Sequence, residues 1–519
     1  MTARPQLFCH VLRLARSAAI ASLAAIPVIP ANPAAAQLWD ARDRFLAADL
    51  AEPDSLEFGH AVASCDWNGD GRSDLAVGAP ELDDNGGGLY FYLMSPSGAP
   101  VPAGTFGSMG SQLLGKALAC GDFDGDGDDE LAAGAPWYEL AGVREGRVML
   151  FEWNGSTLAY IGSLRQSLDG VAGAPEDGDL FGESLAVGDF DADGADDLAV
   201  GSPGEDVGTI LSAGAVTLFY GQAGEGLVIA GNSIWHKDTA GVPGEPGAGE
   251  ELGEALAAFD SNCDAYDDLA VGVPGQTIAG VDFSGAVYIL TGSAEGIVDA
   301  TSFVLDTTSF PQAGASPPHT FDRFGETLAS AGNYFSASCG ALAIGAPTRE
   351  VDGLESAGAL YLLGGSVAIS RYYTVADFGG TPDPVDRFAD FLAFADFDAD
   401  GRTDLAVGIP NAVLPIPDHA GGVYIALSAG AEPDPANATF IYPRSTLELF
   451  NIVTQAQDFG AALAAADFDG NGSADLAISL PGSSYDPLLG MGGVELLFSA
   501  LFSADFEGGN RNEWSSSLP

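Results

Sequence analysis

Acidic residues recur in this chain at spacings suited to binding a metal ion. The clearest stretch is GDFDADGADDLAVGSP, residues 188 to 203, where Asp189, Asp191 and Asp193 alternate with small or apolar residues. Gly194 follows, Asp197 lies four positions past Asp193, and an apolar run begins at Leu198-Ala199-Val200. Carboxylates at positions 1, 3, 5 and 9 of a tight loop, with glycine at 6, converge their oxygens on one point. That suits calcium, which takes six to eight oxygen ligands, better than magnesium, which prefers fewer protein ligands and retained water. Two carboxylates about 4 Å apart repel by roughly 1 kcal/mol in water and about 4 kcal/mol at an effective dielectric of 20. Without a cation such a loop splays, so the expected cofactor is Ca2+ in a structural role. The plain alternative, an acidic turn, has to explain why the spacing repeats.

The calcium loop of an EF-hand opens the same way but closes with glutamate at position 12 between two helices. Here position 9 closes the loop and β-prone residues flank it, so the expected element is a hairpin. The opening aspartates stand at 66, 122, 189, 260, 396 and 467, separated by 56, 67, 71, 136 and 71 residues. The step of 136 is two ordinary steps, and a seventh copy lies between Phe324 and Pro347 with every loop carboxylate lost. Each copy has an FG-like opening, a small-residue strand, the loop, and a second strand ending in Gly-Ala-Pro or a variant. A third strand such as GAVTLFY or GAVYIL and a looser fourth apolar segment follow. Four strands of five to six residues account for the step, a longer-looped unit than the propeller repeats of about 40–45 residues. The fold class expected is all-β: a seven-bladed β-propeller of four-stranded antiparallel blades. The last copy has no clear fourth strand, whereas Leu38 to Ala48 resembles a lone one. An N-terminal strand completing the last blade would close the ring and remove its exposed edges.

These residues resemble the FG-GAP repeats of the integrin α-subunit head, over roughly residues 38 to 500. The resemblance implies metal loops on the lower face of the ring and ligands met on the opposite face. Residue by residue it implies up to six Ca2+ sites. The first four are Asp66, Asn68, Asp70 and Asp74; Asp122, Asp124, Asp126 and Glu130; Asp189, Asp191, Asp193 and Asp197; and Asp260, Asn262, Asp264 and Asp268. The last two are Asp396, Asp398, Asp400 and Asp404, and Asp467, Asp469, Asn471 and Asp475, with the carbonyl of position 7 adding a ligand in each. Ala265 stands where the fourth loop wants glycine, which predicts the weakest site there. The fifth loop, Gly332 to Gly340, is expected to be empty. Nothing resembles the segments that follow an integrin head, so receptor signalling is not implied.

Composition sets the compartment and excludes some partners. Seventy glycines and thirty prolines suit a turn-rich all-β chain, and a formal net charge of −55 repels nucleic acid. Residues 1–36 read as a secretion signal: Arg4, Arg13 and Arg16, an apolar stretch from Ala18 to Ile29, and Ala34-Ala35-Ala36 before the expected cleavage near Gln37. Residues 37–500 are the expected propeller, and no segment there has the length to span a bilayer. Residues 501–519 form a tail that reads either as a sorting segment or as a disordered terminus. The expected address is secreted or cell-surface. An oxidising compartment permits disulfides, yet the wide spacing of Cys65, Cys120, Cys263 and Cys339 favours no particular pairing, and buried free thiols are the plainer reading.

Catalytic frames are missing from the sequence: there is no HExxH, no GxSxG, no Walker loop and no GxGxxG after a strand. His60 reads as a packing variant, and His236, His319 and His419 as solvated loop residues. Trp137, Tyr138, Trp235 and Tyr485 either stack on a ligand or cap the core between blades. The first functional reading is a non-enzymatic, exported, calcium-stiffened module that binds a protein or glycan; some fungal sugar-binding propellers resemble this ring. The alternative is a hydrolase or lyase acting on polysaccharide or lipid in the central depression. The phospholipase that carries FG-GAP repeats, however, uses a separate catalytic domain.

Overall fold

The structure, a computed structural model, describes residues 29–30, 39–46, 57–96, 98–108, 110–310, 317–332, 339–364, 369–412, 421–428, 433–441, 458–481 and 492–499. Within them seven antiparallel sheets follow in sequence as the blades of a propeller, beside a two-stranded pairing of Glu139–Leu140 with Val143–Arg144. Blade 3 shows the plan: Leu185–Gly188, Asp197–Ser202, Ala215–Tyr220 and Val228–Trp235 hydrogen-bond in that order. Its second strand is buried along its whole length, whereas the fourth is half exposed. The blade thus stands edge-on to the ring, with its outermost strand facing solvent. This explains why second strands, after their opening acid, read as apolar runs such as Leu-Ala-Val-Gly.

Register fixes the acidic loops. Gly188 pairs with Asp197, and Cys65–Asp74, Gly121–Glu130, Phe259–Asp268, Ala395–Asp404 and Ala466–Asp475 are the same pair in other blades. Each acidic stretch is therefore the hairpin between first and second strands, and all six lie on one face. Blade 5 keeps Thr327–Ala331 paired with Ala341–Ala346, but residues 333–338 of its loop lie outside the described residues. A single helical turn, Leu82–Asn85, leads into the third strand of blade 1.

The FG and GAP dipeptides are the joints between blades. Phe181 is fully buried, and the N–H of Gly182 donates to the carbonyl of Gly201 at 3.0 Å. On its other side Gly201 meets the next blade so closely that a Cβ would lie 2.2 Å from the carbonyl of Gly253. So close an approach favours glycine. In blade 7 Ser479 takes this place, and its buried hydroxyl finds no hydrogen-bond partner. Each interface is filled from both sides, and emptying a buried aromatic such as Phe181 costs about 3–5 kcal/mol.

The ring returns on itself. Phe58, Leu75 and Val77 of blade 1 pack in one core with Phe468, Val494 and Phe498 of blade 7. Trp39–Leu46 pairs antiparallel with Gly493–Ser499 beside them. Ile29–Pro30 adds a two-residue bridge to the edge of blade 6.

Two disulfides correct the free-thiol reading. Cys65 bonds Cys120, and Cys263 bonds Cys339. Each joins neighbouring blades, 1 to 2 and 4 to 5, at the end of the ring that carries the acidic loops.

Candidate metal centres

Each loop wraps its backbone around its first aspartate. In blade 3 the N–H groups of Asp193 and Gly194 donate to the two carboxylate oxygens of Asp189 at 3.1 Å each. Loops 1, 2, 6 and 7 repeat the pair with Asp66, Asp122, Asp396 and Asp467. Turning those amides inward needs a left-handed residue at position 6, which is Gly194 at φ 92° in blade 3. In the fourth loop Ala265 adopts φ 71°, so the Cβ is carried in a conformation that disfavours it. Position 4 is left-handed as well, in Ala192, Ala399 and Cys263. Sequence reasoning overlooked that requirement; the recurrent small residue at position 4 was its signal.

The ninth position is the buried end of each site. Asp197 is fully buried, and its carboxylate accepts from Phe190 N–H at 2.9 Å and from Gly221 N–H at 2.8 Å. The first bond ties it to its own loop and the second to the end of the third strand. Asp74, Asp268, Asp404 and Asp475 likewise take a third-strand amide. The residue at position 2 is another signal missed: Trp67, Phe123, Phe190, Phe397 and Phe468 drive the loop into the interface between blades.

In four loops the side chains at positions 1, 3 and 9 converge, with one oxygen from each within 4.8 Å of the others. These are Asp122, Asp124 and Glu130; Asp189, Asp191 and Asp197; Asp396, Asp398 and Asp404; and Asp467, Asp469 and Asp475. Position 5 stands beside these trios. Asp126, Asp193 and Asp400 each accept the N–H two residues ahead, and the second oxygen of Asp400 also accepts from the Arg402 guanidinium at 2.8 Å. Burial pushes Glu130, Asp197 and Asp404 up to about 8 and Asp475 to about 7, with neighbouring carboxylates adding to the effect. Such groups lack positive charge, which a bound cation supplies.

Loops 1 and 4 differ. Asn68 donates its amide to Asp74 at 2.9 Å, and Arg72 pairs with Asp70. In loop 4 the hydroxyl of Ser261 bonds Asp268, and Asp260 gathers the amides of Asn262, Cys263 and Asp264. Oxygen donors remain in both, but the convergence of positions 1, 3 and 9 is found in the other four loops, and loops 1 and 4, with Asn at position 3, are less well arranged.

The other residues singled out in the sequence lie apart from these loops. Trp235 is buried against Val242 and Tyr288 and donates to Ser233, so it caps the core. Trp137 is 37% exposed, and Tyr138 lies under the Arg147 guanidinium at 4.2 Å. His60 is 3.1 Å from Glu57, and His319 is 3.8 Å from Glu350. His419 and Tyr485 lie outside the described residues.

Comparison with known proteins agrees with this architecture. The FG-GAP repeat family matches residues 181–219 and 388–425, and the FG-GAP-like repeat matches residues 66–133. Integrin alpha pat-2 of Caenorhabditis briggsae is 31% identical over 202 residues, covering 36% of this chain and 14% of that protein. Integrin alpha-PS2 of Drosophila melanogaster is 31% identical over 212 residues, 40% of this chain and 14% of that protein. Phosphatidylinositol-glycan-specific phospholipase D of Rattus norvegicus is 35% identical over 164 residues, 31% of this chain and 18% of that protein. The chain thus spans less than a fifth of the length of these curated relatives. Among the described residues no helix is long and apolar enough to cross a membrane.

Proposed function

Because the chain is an FG-GAP repeat protein built as an integrin-α-like seven-bladed propeller, we propose that it works as an exported ligand-binding module stiffened by calcium. In this reading residues 1–36 are a cleaved leader, and residues 37–500 act outside the cell on a protein or glycan. Up to six Ca2+ ions occupy the aspartate loops. Their role is to hold hairpins whose buried carboxylates otherwise repel.

One observation carries the choice of face. Leu211 (64% exposed), Phe321 (56%), Val385 (53%) and Trp137 (37%) sit on connections at the end of the ring opposite the aspartate loops. Phe321 stacks on Phe283 at 5.0 Å, bringing two connections together. Large apolar side chains held in solvent on one face suit a partner's surface. Integrin alpha proteins among the relatives support the same use of the fold.

The phospholipase relatives favour a second reading, turnover of a glycan-bearing lipid. The matched part is only 18% of that enzyme. A glycan array and a panel of purified extracellular-matrix proteins, run with and without chelator, test the proposal. Calcium-dependent retention that is lost in a Leu211→Ser/Phe321→Ser variant of unchanged melting temperature is the expected result. Release of product from a glycosylphosphatidylinositol substrate would replace this reading with the enzymatic one.

A further inference from the structure

The connections opposite the aspartate loops repeat a second arrangement, and at the junction of blades 2 and 3 it lacks the cation that the next two junctions contain. Two residues ahead of four of the FG-like openings stands an acid, Asp179, Glu250, Asp322 or Asp386, whose carboxylate takes an N–H from three residues earlier, that of Asp386 from Asp383 at 2.8 Å. Asp179 takes it from Glu176 at 2.6 Å, Glu250 from Gly247 at 2.7 Å and Asp322 from His319 at 2.7 Å. Two further positions can be compared at the first three of these junctions: one two residues past the preceding blade's fourth strand, and one two residues past the GAP proline.

Between blades 3 and 4 these are Lys237 and Gln276. The Lys237 ammonium is buried and lies 2.8 and 2.9 Å from the two oxygens of Glu250. Between blades 4 and 5 they are Thr307 and Arg349, and the fully buried guanidinium pairs with Asp322. Each of these junctions therefore contains its own cation. Between blades 2 and 3 the corresponding residues are Gln166 and Glu205, one neutral and the other a second acid. Asp179 is 1% exposed and Glu205 6%. The charged groups acting on them, Glu176 and Asp206, are acids too. Burying charge without a partner is expensive.

The geometry suits an ion. One oxygen each from Glu176, Asp179 and Glu205 lies within 4.8 Å of the others, the separation of ligands around a cation bound at about 2.3–2.6 Å. Gln166 supplies an independent observation. It is 3% exposed, its carboxamide reaches 2.5 Å from Glu205, and its Oε1 has no hydrogen-bond partner. Turning the carboxamide over presents that oxygen to the same point at no cost in volume.

We propose that Glu176, Asp179, Glu205 and the carboxamide oxygen of Gln166 bind a hard divalent cation, calcium by preference, at the junction of blades 2 and 3. The ion takes the place that Lys237 and Arg349 fill at the next two junctions. The site lies on the opposite face of the ring from the aspartate loops and is independent of them.

The test is a calcium titration of the full chain after chelator treatment, by calorimetry with calcium alone. A Gln166→Lys/Glu205→Gln variant copies the junction of blades 3 and 4 and should bind one ion fewer per chain than the wild type. Its melting temperature in chelator should exceed that of the wild type in chelator. Glu176→Gln, at an exposed position, should weaken one binding event at least tenfold; it decides the question alone if the double variant fails to fold. Equal ion counts and affinities in the wild type and the folded variants would overturn the proposal and leave the acids sharing a proton. The difference between proteins is read whatever the loops bind, so failure here is distinct from failure of the calcium-loop reading.

Discussion

The backbone N–H of Ser73 in blade 1 donates to the carbonyl of Asp467 in blade 7 at 3.2 Å. The same bond runs from Asp129 to Asp66, Asp196 to Asp122, Asp267 to Asp189 and Ala474 to Asp396. At three of these junctions the side chain joins in: Asp129, Asp196 and Asp267 accept the amides of Asp66, Asp122 and Asp189. The opening aspartate of a loop thus turns its side chain inward and holds the neighbouring blade with its backbone. A cation that fixes this residue stiffens a blade junction as well as a hairpin.

Replacing Asp191 by alanine should therefore remove one bound ion and leave the others, because its carboxylate orders little beyond its own loop. Asp189→Ala should cost about 1–3 kcal/mol more, since the amides of Asp193 and Gly194 lose their acceptor. Calcium stoichiometry and urea melts of the two variants measure the difference.

The pairing of Trp39–Leu46 with Gly493–Ser499 makes a second expectation. A chain starting at residue 47 would leave the last blade with an open edge, which invites pairing between molecules. Sedimentation should show self-association and melting should fall by several degrees. An unchanged monomer would mean that blade 7 needs no such strand.

Burial sets a pH dependence at Glu254, which is pushed up from 4.5 to about 7, with Glu183 and Glu251 adding to the shift and Arg323 opposing it. The folded chain keeps a proton that the unfolded chain releases. This contribution is complete below about pH 4.5 and is lost as pH rises through about 7. Glu254→Gln should raise the melting temperature at pH 8 and leave it unchanged at pH 4. Equal shifts at both values would remove Glu254 as the cause.

Much of this was legible in the sequence for a physical reason: each blade must solve the same packing problem. Blade 5 was found from its FG and GAP frame after its loop acids had gone, because the frame serves the joints and the acids serve the loop. The disulfides were not legible from spacing as such. Cys65 and Cys120 are 55 residues apart, and Cys263 and Cys339 are 76 apart. Each separation is about one repeat, so the partners meet because adjacent blades do. Burial of Trp235 depends on Val242 and Tyr288, contributed by other segments, and the desolvated acids Asp179 and Glu205 look like any others in so acidic a chain.

Removing the link from Cys65 to Cys120 should cost about 4 kcal/mol by the chain-entropy model. A Cys65→Ser/Cys120→Ser variant compared with the parent in chemical denaturation reads that loss. A parent whose midpoint does not respond to reductant would contradict the bond's contribution.

Calcium removal tests the central claim most directly. An ion held at a hundred times its dissociation constant stabilises the native state by about 2.7 kcal/mol per site. Calorimetric melts of the full chain in millimolar calcium and in excess chelator should differ by well over ten degrees, with the loss restored by adding calcium back. Superimposable melts under the two conditions would contradict the account.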